Sequence, residues 1–285
     1  MPNEPNTVLV DCPRDAIQGI KTFIPTEKKI AYINSLLQRD LFGYIDFGSF
    51  VSPKAVPQLA DTASVLEGLE NKGSTKLIAI IANEKGAVRG REFSQIDYLG
   101  FPFSMSDTFQ RRNTNRSIEE AYESILACQD ILSKGSVELM IYLSMAFGNP
   151  YGDHWHPDIV LEWVERLVGI GIRKFSIADT TSSATAERIR QLFSLLYREY
   201  PDIEWSIHLH SRTAGALEKV DAAYSVGCRI FEGAVMGYGG CPFAQDDLVG
   251  NIPTELLLRR FKGIDDAVTQ DLKENFQKLI KNVDI

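Results

Sequence analysis

Short runs rich in β-branched and aromatic residues alternate along this chain with longer amphipathic stretches. Eight runs read as strands: TVLVDC (7–12), GYIDFG (43–48), KLIAIIA (76–82), QIDYLGF (95–101), VELMIYLSM (137–145), IRKFSIAD (172–179), EWSIHLH (204–210) and CRIFEGAV (228–235). Between most of them apolar residues recur at helical spacing, over 26–39, 117–134, 158–169, 185–200 and 214–226. The crossover NEKGAVRGREFSQ carries the weakest helical pattern. Two further helices, near 253–262 and 266–282, follow the eighth strand. This alternation predicts an α/β fold, a closed parallel (β/α)8 TIM barrel with extra C-terminal helices; an open doubly wound sheet is the alternative. No linker, solenoid repeat or low-complexity tract interrupts the pattern. One catalytic domain over 1–285 is therefore expected, with a helical appendage from about residue 253.

Length and composition agree with this. The 285 residues suit one barrel, and 44% hydrophobic content supplies a sizeable core. A net charge of -8 argues against a nucleic-acid partner, which would need a basic face. The start MPNEPNTVLVD lacks the basic and apolar regions of a signal peptide. No apolar run approaches the roughly 18 residues of a membrane span, so no membrane partner is expected. Cys12, Cys128, Cys228 and Cys241 form neither a CxxC pair nor a zinc spacing, which points to a reducing compartment. KNVDI is not a peroxisomal address, and a cytoplasmic location follows. A homodimer is compatible with the sequence.

Polar and ionisable residues gather where the strands end, and a (β/α)8 barrel carries its chemistry at those ends. The first strand runs into Arg14 and Asp15; the second carries Asp46. The third ends at Asn83, the sixth at Asp179, the seventh at His208 and His210. In HLH the two histidines stand at i and i+2, so both side chains leave the strand on one face and can bind one metal. The chain has only 4 His, which makes this coincidence informative. Asp15 adds a carboxylate and Asn251 could add an amide oxygen. Taken alone, Asp15 reads equally well as a partner of Arg14, and Asn251 as the N-cap before IPTELL. Two nitrogen and two oxygen donors suit Mg²⁺ or Mn²⁺, with Zn²⁺ as the alternative.

GYGGCPFAQDDLVGN (237–251) sets Cys241 between a glycine pair and a proline. The glycines permit close backbone approach and unusual dihedrals. A thiol of pKa about 8.5 is protonated near neutrality and could deliver a proton to a carbanion. Most free cysteines are small buried hydrophobes, and the other three fit that description.

The chain resembles the 3-hydroxy-3-methylglutaryl-CoA lyase family of metal-dependent lyase and Claisen-type barrels. CPRDAIQ, IDFGSFVSPKAVPQLAD, SMSDTFQRRNTNRSIEEA and GAVMGYGGCPFA carry the resemblance, in the family's order and over nearly the whole chain. It implies cleavage of 3-hydroxy-3-methylglutaryl-CoA to acetyl-CoA and acetoacetate, a reaction shared by leucine degradation and ketone-body formation. Asp15, His208, His210 and Asn251 would hold the divalent metal. Arg14 would steady an enolate at the thioester carbonyl, and Cys241 would take part in proton transfer. Asp179 and Asp46 would complete the polar floor. Coenzyme A would lie across the barrel mouth, with Lys21, Lys54, Arg111 and Arg112 as candidates for its phosphates. The sequence departs from the family in Asp46 for the usual Glu, in Ser211-Arg212 for Asp-Thr, and in Asp246-Asp247 within a loop one residue longer. Another 3-hydroxyacyl-CoA, a Claisen-type condensation, or a barrel that binds acyl-CoA without turnover are the alternatives.

Overall fold

A computed structural model describes residues 7–240 and 249–283. Strands β1 (Val8–Asp11), β2 (Tyr44–Ser49), β3 (Lys76–Ile80), β4 (Tyr98–Ser104), β5 (Glu138–Ser144), β6 (Lys174–Asp179), β7 (Glu204–Leu209) and β8 (Ile230–Gly233) close into a barrel in chain order. All pairs are parallel, and β8 closes on β1 through Val8–Asp11 against Ile230–Gly233. After β1 come α1 (Pro13–Ile17) and α2 (Thr26–Leu37). The next crossovers hold α3 (Thr62–Glu67), α4 (Glu84–Gly90), and the pair α5 (Asp107–Thr114) and α6 (Ile118–Leu132). Then follow α7 (Pro157–Gly169), α8 (Ala186–Glu199) and α9 (Thr213–Ser225), with α10 (Thr254–Lys262) and α11 (Asp266–Leu279) after β8. Among the described residues no helix is long and apolar enough to cross a membrane.

Local sequence explains most boundaries. Asn83 caps α4 by accepting from the Gly86 amide (3.0 Å), and Ser117 with Glu120 forms a capping box on α6. The helical pattern of α4 is weak because two of its positions are glycine. A Cβ on Gly90 would stand 2.7 Å from Leu99, so glycine lets this helix press against the sheet. The fourth strand begins later than expected and runs through Pro102 to Ser104. Residues ahead of it turn instead: the Ile96 amide bonds Phe93 O, and the Asp97 carboxylate takes Lys76 Nζ (3.0 Å) and the Leu77 amide (2.9 Å).

Strand alternation turns Val10, Cys12, Ile78, Ile80, Met140 and Tyr142 into the barrel interior. The larger core lies between strands and helices, with Phe175 stacked on Trp205 and Phe231 on Phe261. The N-terminal end of the barrel is closed by Lys174, whose ammonium lies 4.2 Å from the Tyr44 ring centroid and 3.9 Å from that of Tyr98. Its Nζ also donates to Tyr44 Oη (2.7 Å) and pairs with Glu204 (2.5 Å). Cation–π contacts at a desolvated site are worth about 2 kcal/mol. Lys174→Met is therefore expected to lower the melting temperature by several degrees and leave turnover unchanged, as thermal unfolding and an activity assay would show.

Candidate active site

The C-terminal ends of the strands bring the polar residues together. Pro13 starts α1 immediately after β1, and its fixed φ suits the first helical position. Arg14 and Asp15 follow within that first turn, 8% and 6% exposed. Arg14 lies between two carboxylates. Its Nε donates to both oxygens of Asp46 (3.2 and 3.0 Å), its Nη2 to Asp46 Oδ2, and its Nη1 to Asp15 Oδ1 (3.0 Å) and Gln18 Oε1 (3.1 Å). Burial opposes the guanidinium charge, but Asp46 and Asp15 outweigh it and raise the pKa. Burial likewise pushes Asp46 up to about 6 against the pull of Arg14. Asp15 is also buried, yet Arg14, His208 and His210 hold its carboxyl below the usual range.

His208 and His210 project from the end of β7 with their Nε2 atoms 3.2 Å apart. Their other nitrogens are committed: His208 Nδ1 faces Glu232 Oε2 and His210 Nδ1 faces the Val249 carbonyl, each at 3.0 Å. A carboxylate and a carbonyl only accept, so each Nδ1 carries a proton, and in the neutral form of either ring Nε2 is left with a bare lone pair. Two such nitrogens 3.2 Å apart can share a proton, when His208 is charged, or a metal ion, when both rings are neutral. The ligand atoms of Asp15, His208 and His210 all lie within 4.8 Å of one another. Asn251 completes the set: its Nδ2 donates to Asp15 Oδ2 (2.6 Å) and to the Tyr238 carbonyl (2.8 Å), while its buried Oδ1 has no partner among the described residues. Donor chemistry and orphaned atoms both fit a divalent ion.

Glu232 organises this centre. It stands beside His208 in the β7–β8 register and takes Ser176 Oγ (2.5 Å) and Ser206 Oγ (2.6 Å) on Oε1. Burial would raise its pKa, but His208 and the two hydroxyls keep it low. The same carboxylate raises His208 against the effect of burial. Burial and the His208 charge push His210 down to about 4. Cys12, His208 and Glu232 form a second cluster. Burial and the Glu232 charge push the Cys12 thiol far up, and within this cluster His208 Nδ1 is already committed to Glu232.

A cavity of about 480 Å³ opens above the cluster, lined by Arg14, Asp15, His208, His210, Tyr142 and Arg112 among others. Asp179 is buried at the end of β6, where Lys219 Nζ donates to its Oδ2 (2.7 Å), to Ser182 Oγ (2.9 Å) and to the His210 carbonyl (3.0 Å). Burial raises Asp179, with Lys219 opposing. Asp179 braces the histidine strand from behind and does not line the cavity. Among the phosphate candidates, only Arg112 reaches the cavity wall, stacked 4.6 Å from the Tyr151 ring. Lys21 and Lys54 are exposed outside its lining, and Arg111 pairs with Asp107 (2.6 Å) on the outer surface of α5. Cys241 and Asp246-Asp247 lie outside the described residues. Sequence reasoning did not find Glu232, Lys219, Gln18 or Tyr142. Glu232 had a signal as an acid inside the apolar run CRIFEGAV, and Gln18 as the last residue of the block CPRDAIQ.

Residues 8–282 match the HMGL-like family. The chain belongs to that family. Among curated members it is 28% identical to hydroxymethylglutaryl-CoA lyase of Bacillus subtilis, over 95% of either chain. It is 32% identical to the cytoplasmic 3-hydroxy-3-methylglutaryl-CoA lyase of Danio rerio, over 88% of this chain and 74% of that one. A solved HMG-CoA lyase of Acinetobacter baumannii, in complex with coenzyme A and 3-methylmalate, superposes with a TM-score of 0.89 at 30% identity, covering 96% of this chain and 91% of the other. The HMGL-like barrel is the fold expected from the strand–helix alternation, and a metal-dependent carbon–carbon lyase is the class of enzyme to which it belongs.

Proposed function

We propose that this protein cleaves 3-hydroxy-3-methylglutaryl-CoA to acetyl-CoA and acetoacetate. The two bare Nε2 atoms beside Asp15 and Asn251 carry this reading, because they make a binding site for a divalent cation at the floor of a substrate-sized cavity. HMG-CoA lyases at up to 32% identity support the choice of substrate. Asp15, His208, His210 and Asn251 would hold the ion, and two nitrogen with two oxygen donors suit Mg²⁺ or Mn²⁺ before Zn²⁺. When bound, the ion lowers the cost of removing the proton from the tertiary hydroxyl of the substrate.

The chain's own groups do the rest. The hydroxyl proton passes to solvent water, and C3–O becomes a ketone as the C2–C3 bond breaks. The electron pair passes to C2 and onto the thioester oxygen. Arg14, locked by Asp46, Asp15 and Gln18, presents fixed positive charge to that oxygen. A proton delivered to C2 completes acetyl-CoA, and the family resemblance gives Cys241 a part in that delivery. Coenzyme A extends from the cavity over the wall that carries Arg112. Cys12, Cys128 and Cys228 are buried free thiols, which supports a reducing compartment such as the cytoplasm.

The test is a steady-state assay with this thioester, with and without chelator. Release of acetoacetate that stops on chelation and returns with Mg²⁺ or Mn²⁺ is expected. A metal-loaded protein that leaves the thioester uncut refutes the assignment.

A further inference from the structure

Tyr142 sits in the barrel interior on β5, at the level of Pro102 on β4. It lines the cavity beside Arg14, Asp15 and His208 and is 6% exposed. Its ring meets that of His208 edge-on, with centroids 6.4 Å apart at 80°. The Oη atom is buried and has no hydrogen-bond partner among the described residues. Leaving a buried hydroxyl unpaired costs about 1–3 kcal/mol, and phenylalanine would fill the same space without that cost. A phenol of ordinary pKa about 10 is protonated near neutrality and can donate.

Because Tyr142 lines the cavity, an oxygen of the bound substrate is the partner the cavity offers it. The tertiary hydroxyl and distal carboxylate belong with Asp15, His208, His210 and Asn251, which leaves the thioester carbonyl. That oxygen is short of donors. A guanidinium has five N–H groups. Those of Arg14 are spent on Asp46, Asp15 and Gln18 except for one on Nη2. Tyr142 and Arg14 line the same cavity.

We propose that the Tyr142 hydroxyl donates a hydrogen bond to the thioester carbonyl oxygen and shares with Arg14 the negative charge that develops there. This inference rests on the acyl-CoA reading above. It makes Tyr142 a catalytic residue for the enolate, not a packing residue.

The experiment uses Tyr142→Phe in the full-length, metal-loaded protein. Cleavage is expected to slow roughly tenfold with KM within about twofold, since the bond strengthens in the transition state. Deuterium uptake from D2O into the methyl group of acetyl-CoA, which reads enolisation alone, should slow equally. Binding of S-ethyl-CoA, a thioether without the carbonyl oxygen, should not change by calorimetry. The melting temperature should hold or rise. Unchanged cleavage and exchange rates, weaker thioether binding, or a melting temperature several degrees lower would each overturn the proposal. If the wild-type protein exchanges acetyl-CoA but does not cleave the six-carbon substrate, only the substrate assignment falls, and the exchange rates still decide the role of Tyr142. A wild type that does neither removes both.

Discussion

Arg14→Lys is expected to reduce kcat by about 10²–10³-fold, the loss typical when one oxyanion donor is removed, while divalent-metal affinity stays within a few-fold of wild type. The guanidinium performs two tasks at once. Nε and Nη2 bind Asp46, Nη1 binds Asp15 and Gln18, and the remaining edge faces the cavity. A lysine ammonium is a point charge with three donors and cannot span both carboxylates while reaching substrate. Asp46, already pushed up to about 6 by burial, would lose its bidentate partner. Steady-state kinetics with calorimetry of Mn²⁺ binding checks the expectation. Full activity in this variant would show that the planar fork is dispensable and that Arg14 is structural.

The second large effect is expected at Glu232. Glu232→Gln should weaken divalent-metal binding by about 10–100-fold, the range found for partners of metal-bound histidines. The carboxylate holds the proton on His208 Nδ1 and so keeps Nε2 bare. A glutamine can turn its NH2 toward that nitrogen, which would move the imidazole proton to Nε2 and block the ligand. Even in the other orientation the amide lacks the charge that makes His208 a better donor. Glutamine matches the size of glutamate and can still bond Ser176 and Ser206, so the fold should survive. Lost turnover should return in part at high metal concentration, which a purely structural defect would not allow. Wild-type metal affinity in this variant would remove Glu232 from the centre.

Much of this was legible in the sequence. Strand–helix alternation identified the barrel because each crossover buries an apolar stripe on the sheet. The i, i+2 spacing of His208 and His210 placed both rings on one face without any tertiary knowledge. Asp15 and Asn251 could be named as ligands but not distinguished from an ion-pair partner and a helix cap; the bond between them, joining residues from opposite ends of the chain, is a product of closure. Glu232 and Lys219 escaped notice for the same reason. Each acts on a histidine through strand register or helix docking, and neither lies within a motif. Tyr142 reads as an ordinary aromatic in an apolar strand, and only the unsatisfied Oη distinguishes it. Lys21, Lys54 and Arg111 carry the charge a phosphate needs, but charge alone does not say which side of a loop or helix faces the cavity.

The imidazoles of His208 and His210 are each tethered on the side away from the cavity, one to a buried acid and the other to main chain. Neither ring must wait for a cation to tell it where to point. Little ordering is left for an incoming ion to impose, so competition between different divalent ions should turn on their own appetite for nitrogen and water. Occupancy would then follow the ionic supply of the surroundings and not any rearrangement of the barrel.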